Sequence, residues 1–276
     1  MVGGTEKLTD ARKFLGIEPI GDDLHWRFHV VPELTTPGNF LFGGCGLAAA
    51  LVALEHASGR PTIWATAQYL SYAPTDAVLD LTVTLAAVGK RVTQGRVVGN
   101  VGDKEILTVN AAVGTAGSLD VGGVWVTPPE VPPPDECPPR RLPFLDTASI
   151  FDLIELRLAK GRSFEELNAG PGETADATSA LWARVPGHLE PSAATLAILG
   201  DYVPGGVSQP IGRNVMSHSL DNTLRVVSLE PTEWVLCDIR IEALVGGYGQ
   251  GVAYLWSQGG SLLATASQSM RVRLWD

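Results

Sequence analysis

The sequence predicts an α+β protein made of two similar halves, each an antiparallel sheet curled around one helix. Three observations lead there. An apolar helical run occurs once in each half, at 44–57 and at 191–201. Runs that alternate in polarity follow each of them, at 78–88, 91–101 and 104–113 and then at 220–228, 233–245, 250–257 and 261–273, with the side-chain period of a half-buried strand. A glycine turn precedes the last run of both halves, Gly102-Asp103 and Gly259-Gly260. Two copies of one unit imply a site between them, to which diverged copies can contribute different groups.

Taken in order, the 44–57 run is almost wholly apolar and Ala-rich, which suits a helix buried along its length. The runs 78–85 and 91–98, punctuated by Gly89 and Gly102, form an antiparallel meander that can wrap such a helix. The stretch from Thr127 to Pro139 contains seven prolines. Proline lacks an amide donor and has a fixed φ, so this stretch cannot enter a sheet interior and is expected to lie extended as a connector. The expected organisation is an N-terminal unit over 1–126, a Pro-rich linker over 127–140 and a C-terminal unit over 141–276. The second unit repeats the order of the first with a helical run ending in Leu199-Gly200-Asp201, then strands around Trp234–Ile241, Gly251–Trp256 and the residues after Gly260.

With 276 residues, 45% of them hydrophobic, each half has enough apolar material for a packed core. The 20 Lys and Arg residues are outnumbered by 30 Asp and Glu, and the net charge of −10 offers no basic face. A nucleic-acid partner and an anionic membrane surface are therefore not expected. The opening residues Met1–Lys7 lack the charged-then-apolar order of a signal peptide, and no run of about 18 apolar residues would span a bilayer. A cytoplasmic protein is expected. Cys45, Cys137 and Cys237 are widely spaced and odd in number, so they read as reduced thiols rather than disulfides or a metal set. Cys45 sits at a helix start, where a thiol can become a nucleophile, but a small buried filler is the commoner role for such a residue.

Several chemistries lack their motifs. Gly206-Val207-Ser208-Gln209-Pro210 fails as a nucleophile elbow at its last position. There is no P-loop, no dinucleotide-binding Gly-x-Gly-x-x-Gly after a strand and no His-Glu-x-x-His, and the histidines at 25, 29, 56, 188 and 218 are scattered. Neither a metal nor a cofactor is implied. Three polar residues of the second half need an explanation: Asp201 closes an apolar helical run just before Pro204-Gly205-Gly206, Ser219 opens the strand Ser219–Val227, and Gln268 lies in the last strand. A carboxylate at the inner end of a buried helix can act as a general base, with a hydroxyl and an amide fixing it and its water. The ordinary alternatives are a helix-end turn former, a strand-edge hydroxyl and an exposed strand amide. Thr223 shares the strand phase of Ser219 and is the alternate hydroxyl. His218 points to the opposite face from Ser219, which speaks against a Ser-His-Asp triad.

Taken together, Phe40-Leu41-Phe42-Gly43-Gly44, the Leu-Gly-Asp-Tyr at 199–202, the Ser-Leu-Asp-Asn-Thr-Leu-Arg at 219–225, Glu233-Trp234-Val235-Leu236 and Leu263-Ala264-Thr265-Ala266-Ser267-Gln268 resemble the acyl-CoA thioesterase II (TesB-like) family over nearly the whole chain. The resemblance implies a tandem, or double, hotdog fold with two antiparallel sheets each wrapped around a long central helix. It also implies hydrolysis of a fatty acyl-CoA by water, with the family's catalytic Asp, Ser/Thr and Gln falling on Asp201, Ser219 and Gln268. Two departures from the family pattern, Arg225-Val226-Val227 in place of a Phe-His-Arg-Pro-like tail and Ala49 in place of Gln, bear on acyl preference. Backbone N–H groups of Gly43, Gly44 and Cys45 are the expected oxyanion donors, because a glycine-rich helix start allows close approach and favours negative charge. The expected partners are an acyl-CoA substrate and further copies of the chain, as a dimer or higher homo-oligomer.

Two rival readings remain at this level. A hotdog hydratase or dehydratase resembles an Asp-x-x-x-x-His arrangement, and no His follows Asp201 at that spacing. A non-catalytic acyl-thioester binding protein would keep the fold without needing the trio. Aligning the halves on their glycine turns sets Ala112 against Gln268, and the first helix has no carboxylate until Glu55. One site per chain is therefore expected.

Overall fold

The computed structural model describes residues 10–115, 117, 119, 121–140, 148–169, 176–185 and 191–274. The Met1–Lys7 and His188 readings fall outside these residues.

The strands are β1 (Glu18–Ile20), β2 (Asp22–His29), β3 (Thr62–Tyr69), β4 (Val78–Val88), β5 (Val92–Val101), β6 (Lys104–Gly114), β7 (Glu155–Lys160), β8 (Thr178–Arg184), β9 (Val215–Ser219), β10 (Asp221–Val226), β11 (Val235–Val245), β12 (Tyr248–Ser257) and β13 (Leu262–Leu274). They form one sheet in the order β1-β2-β4-β5-β6-β3-β10-β13-β12-β11-β8-β7, with β9 added on β13. The two sheets expected from the sequence are thus joined edge to edge. The joint is the antiparallel ladder of β3 and β10, centred on Thr66↔Thr223 and flanked by Ala67↔Asn222 and Ala65↔Leu224. β3, which the sequence reading passed over, makes this joint and also pairs with β6.

The order reads the same outward from the joint in both directions, so a local two-fold axis through Thr66 and Thr223 relates the halves. That axis carries Ala65 onto Asn222. Because Thr66 pairs with Asn110 and Thr223 with Ser267, it also carries Ala111 onto Gln268. The expected counterpart, Ala112, is one residue out of register; the residue at the equivalent position is still an alanine.

The helices are α1 (Ala11–Leu15), α2 (Gly43–Ser58), α3 (Ile150–Leu153), α4 (Phe164–Asn168), α5 (Ala193–Leu199), α6 (Val203–Gly206) and α7 (Ser208–Ile211). α2 has ten buried residues and no polar stripe, since β2 to β6 curl around it and α5 covers the remaining side. It ends at Gly59, whose left-handed φ of 64° lets its N–H reach the Glu55 carbonyl at 2.9 Å. α5 starts at the Ser192 hydroxyl, which accepts from the Thr195 N–H at 3.1 Å. It runs for only seven residues and precedes the counterpart of α2. The axis carries 43–58 onto 200–215, where the described residues form the short helices α6 and α7 in place of the one long central helix that was expected. Pro204 cannot donate to a helical carbonyl, and the chain passes through Gly200 and Asp201 into the separate turns α6 and α7.

The Pro-rich stretch lies on the outer face of the second half. The Pro132 carbonyl accepts from Trp182 Nε1 at 2.9 Å, and the Arg140 N–H donates to Leu156 at 2.8 Å. It helps cover a second apolar cluster of Trp182, Trp234, Leu236 and Trp256.

α2 and α5 are in close backbone contact at Gly44. A Cβ there would stand 2.9 Å from both the Ala197 carbonyl oxygen and the Ile198 Cα. Backbone cannot yield as a side-chain tip can, so Gly44→Ala is expected to push the helices apart and lower stability by about 1–3 kcal/mol. Urea denaturation against the native protein measures it; equal midpoints would mean that the helices are not locked at this contact.

Candidate active site

The break after α5 puts the Asp201 side chain against the start of α2. Asp201 is 8% exposed. Its Oδ2 accepts from the Gly44 N–H at 2.6 Å, and its Oδ1 accepts from Asn222 Nδ2 at 3.2 Å and from Gln268 Nε2. Gln268 Nε2 also reaches Ser219 Oγ at 3.3 Å. Asp201, Gln268 and Ser219, singled out separately in the sequence, therefore form one connected group supplied by the α5 break, β13 and β9.

Asn222 is the member that sequence reasoning missed. Its signal was present as a polar residue inside a strand, but it was masked by an assumed regular alternation from Ser219. Ser219 does not open β10; it closes β9, where it pairs with Met270. An irregularity at Leu220 then shifts the register by one residue before Thr223 pairs with Ser267. The shift places Asn222 rather than Thr223 on the Asp201 side. The Thr223 hydroxyl is instead engaged across the joint with Thr66 Oγ1 at 2.8 Å.

The helix-start donors also separate. The Gly44 N–H is taken by Asp201, and the Cys45 N–H donates to the Phe42 carbonyl at 3.0 Å. Of the three expected oxyanion donors, the Gly43 N–H alone has no acceptor among the described residues. Cys45 is fully buried, and burial, reinforced by the nearby Asp201 charge, pushes its thiol well above the usual range. It is a packed filler, not a thiolate nucleophile. His218 sits beside Ser219 in sequence but edges the Tyr72 ring, with centroids 6.1 Å apart.

Burial pushes the Asp201 carboxyl up to about 7, against the opposing pull of Gln268, the Gly44 N–H and Asn222. Three donors aimed at the carboxylate limit a cost that burial alone would make larger. Both amides turn nitrogen toward Asp201, which leaves Gln268 Oε1 and Asn222 Oδ1 buried without a hydrogen-bond partner among the described residues. A small molecule at the carboxylate would meet unfilled acceptors, and a protonatable base poised near neutrality is suited to withdrawing a proton from it.

A cavity of about 500 Å³ lies further along α5, lined by Leu196, Leu199, Val185, Val235 and Leu263 with Arg184 and Glu233 at its rim. Asp201, Ser219 and Gln268 are not among its walls; Leu199, two residues before Asp201, is the nearest link. The cavity is apolar and the carboxylate group polar, so the two can serve different parts of one ligand. Among the described residues, no helix is long and apolar enough to cross a membrane.

The family profile for the acyl-CoA thioesterase N-terminal domain matches residues 31–115, and that for the acyl-CoA thioesterase C-terminal domain matches residues 134–272. Among solved structures, a protein of Novosphingobium aromaticivorans described as a thioesterase is 32% identical with a TM-score of 0.81, over 94% of this chain and 98% of that one. A hot dog fold protein of unknown function from Alicyclobacillus acidocaldarius is 20% identical with a TM-score of 0.80, over 96% and 98% of the two chains. The acyl-CoA thioesterase II TesB2 of Mycobacterium marinum is 19% identical with a TM-score of 0.74, over 96% and 99%. Among curated proteins, none is significantly similar in sequence to this chain. The architecture is that of a double hotdog.

Asp201 holds its proton more tightly in the folded protein, near 7, than at the ordinary carboxyl value of 3.8. Its contribution to stability is therefore fully present below about 3.8 and is lost as pH rises through about 7. Between roughly pH 4 and 8 the native protein is expected to lose about 2–4 kcal/mol more than Asp201→Asn, since every tenfold change in proton affinity is worth about 1.4 kcal/mol. Urea denaturation across that range checks the slope; parallel curves would show that the carboxyl titrates normally.

Proposed function

Because the chain belongs to the acyl-CoA thioesterase family and is a thioester hydrolase, we propose that it cleaves a fatty acyl-CoA with water activated by Asp201. The observation that carries this reading is the buried carboxyl itself, tied to Gly44, Asn222 and Gln268 and raised to about 7. A protein that only bound its ligand would have no use for a buried base held near neutrality.

In the proposed reaction, a water held between Ser219, Gln268 and Asp201 attacks the thioester carbonyl carbon. Asp201 takes the water's proton as the new C–O bond forms, and the carbonyl electron pair moves onto oxygen. Collapse of that oxyanion re-forms the carbonyl and breaks the C–S bond. The proton passes from Asp201 to the departing sulfur, so the products are the free acid and CoA thiol. Ser219 acts as a positioning hydroxyl, since its one contact here is with the Gln268 amide, which cannot take its proton. No acyl-enzyme is formed.

The apolar cavity beside Leu199 and Leu263 suits the alkyl chain. Ser219 is the half-buried member of the group and marks the side from which substrate arrives. A second hollow on that side is bordered by Phe40, Tyr72 and Lys104, offering an aromatic face and a cation to the CoA head group. The first half has alanines where the second has Asn222 and Gln268, so one site per chain is proposed.

Asp201→Asn is expected to lower kcat by about 10²-fold or more, followed by thiol release from acyl-CoA. In the native enzyme kcat/KM should rise with pH and level off above about 7, because the base works ionised. A flat profile through this range, or near-native turnover of a folded Asp201→Asn, would remove Asp201 from the role. Titration with a non-hydrolysable acyl-CoA analogue should saturate at one equivalent per chain; two would reveal a site in the first half.

A further inference from the structure

The oxyanion proposed above needs donors, and the helix start supplies fewer than its glycine-rich sequence suggests. Gly44 and Cys45 have their N–H groups committed, leaving Gly43. One backbone donor is half of a usual oxyanion hole.

A second donor stands beside it. Tyr69 ends β3, paired with Leu107 of β6, and its N–H donates to the Leu220 carbonyl at 3.0 Å. The residue is thereby held at the seam where β3 meets both β6 and the second half. Its hydroxyl is buried and, among the described residues, has no hydrogen-bond partner of good geometry. Leaving such a group unpaired costs about 1–3 kcal/mol, so its retention calls for a ligand that pairs with it. A Cβ placed on Gly43 would lie 3.0 Å from Tyr69 Oη and 3.0 Å from Asp201 Oδ2. The hydroxyl and the carboxylate therefore both stand against the Gly43 backbone, where a side chain on any other residue would crowd them.

We propose that the Tyr69 hydroxyl and the Gly43 N–H together form the oxyanion hole, a catalytic role for Tyr69 that rests on the Asp201-and-water reading. Burial, with the Asp201 charge second, keeps the phenol protonated well above its usual range, so it remains a donor at working pH. The charges are consistent. Negative charge builds on the carbonyl oxygen as Asp201 accepts the water's proton and becomes neutral, so the oxyanion does not face a carboxylate.

The competing acceptor for the hydroxyl is Asn222 Oδ1, also buried and unpaired. The Asn222 amide lies close enough to act on the phenol as a hydrogen-bond partner, pulling against its upward shift, yet neither Tyr69 Oη nor Asn222 Oδ1 makes a hydrogen bond of good geometry among the described residues. Were Tyr69 only a brace for Asn222, it would act through Asp201, and removing it would move the base's titration.

Tyr69→Phe separates these roles. The proposal expects kcat to fall by about 10²-fold, KM for acyl-CoA to stay within about twofold, and the rising limb of the pH profile to stay near 7. The thermal midpoint should hold or increase, because the variant loses an unpaired buried hydroxyl. Unchanged turnover overturns the proposal. A displaced pH limb overturns it too, by making Tyr69 a support for the base, and so does a lowered thermal midpoint, by making the hydroxyl structural. Asp201→Asn assayed in parallel keeps the two readings apart: an active Asp201→Asn beside an impaired Tyr69→Phe discards the base assignment and retains the donor.

Discussion

Everything at the candidate site depends on one contact, the backbone of Gly44 lying against the break in the second half's helix. A carboxylate this deeply buried is stable only where donors face it, and the first donor is the N–H of Gly44 at 2.6 Å. That N–H is available because it belongs to the first turn of a helix, whose amide groups have no partners within the helix. It can come so near because Gly44 has no side chain to hold the helices apart and Gly43 none to crowd the carboxylate. The partial positive charge of the helix start adds to the same effect. A requirement of packing and a requirement of charge thus fall on the same residue.

The local two-fold axis explains why that contact joins unlike partners. Gly44 precedes Thr66 by as many residues as Asp201 precedes Thr223, so the glycine and the aspartate occupy equivalent places in the two halves and touch each other near the axis. Had both copies kept the aspartate, two carboxylates would face each other in a dry interior; had both kept glycine, there would be no buried carboxyl. The same division holds along the sheet, where Ala65 answers Asn222 and Ala111 answers Gln268. All four are buried, and small apolar residues in one half leave the room that the polar residues of the other require.

Those polar residues leave hydrogen-bonding capacity unused around a buried carboxyl. Asn222 and Gln268 both present nitrogen to Asp201 and leave their oxygens unpaired. A network built only to hold the fold would be expected to satisfy its acceptors. Unpaired buried groups gathered around a raised carboxyl fit a place where a substrate and a water complete the hydrogen bonding. The apolar cavity further along α5 is lined by residues of α5, β8, β11 and β13, and α5 leads directly into Asp201.

Much of this was legible in the chain. Alternating polarity located β4, β5, β6, β11, β12 and β13 to within a few residues, because a strand with one face on a core shows its period in any window. The apolar 44–57 run located α2, and the order of short motifs pointed to Asp201, Ser219 and Gln268. What the sequence could not carry are facts about partners distant in the chain. β3 was overlooked because its importance lies in pairing with β10. Asn222 was overlooked because the irregularity at Leu220 is a property of how β9 and β10 pair with β13, and a shift of one residue turns the opposite set of side chains inward. The shortness of α5, the use of the Gly44 N–H by the base and the unpaired Tyr69 hydroxyl were likewise decided by tertiary structure. Local periodicity reports which face of an element is buried; what the buried group touches is decided only when segments far apart in the chain are packed together.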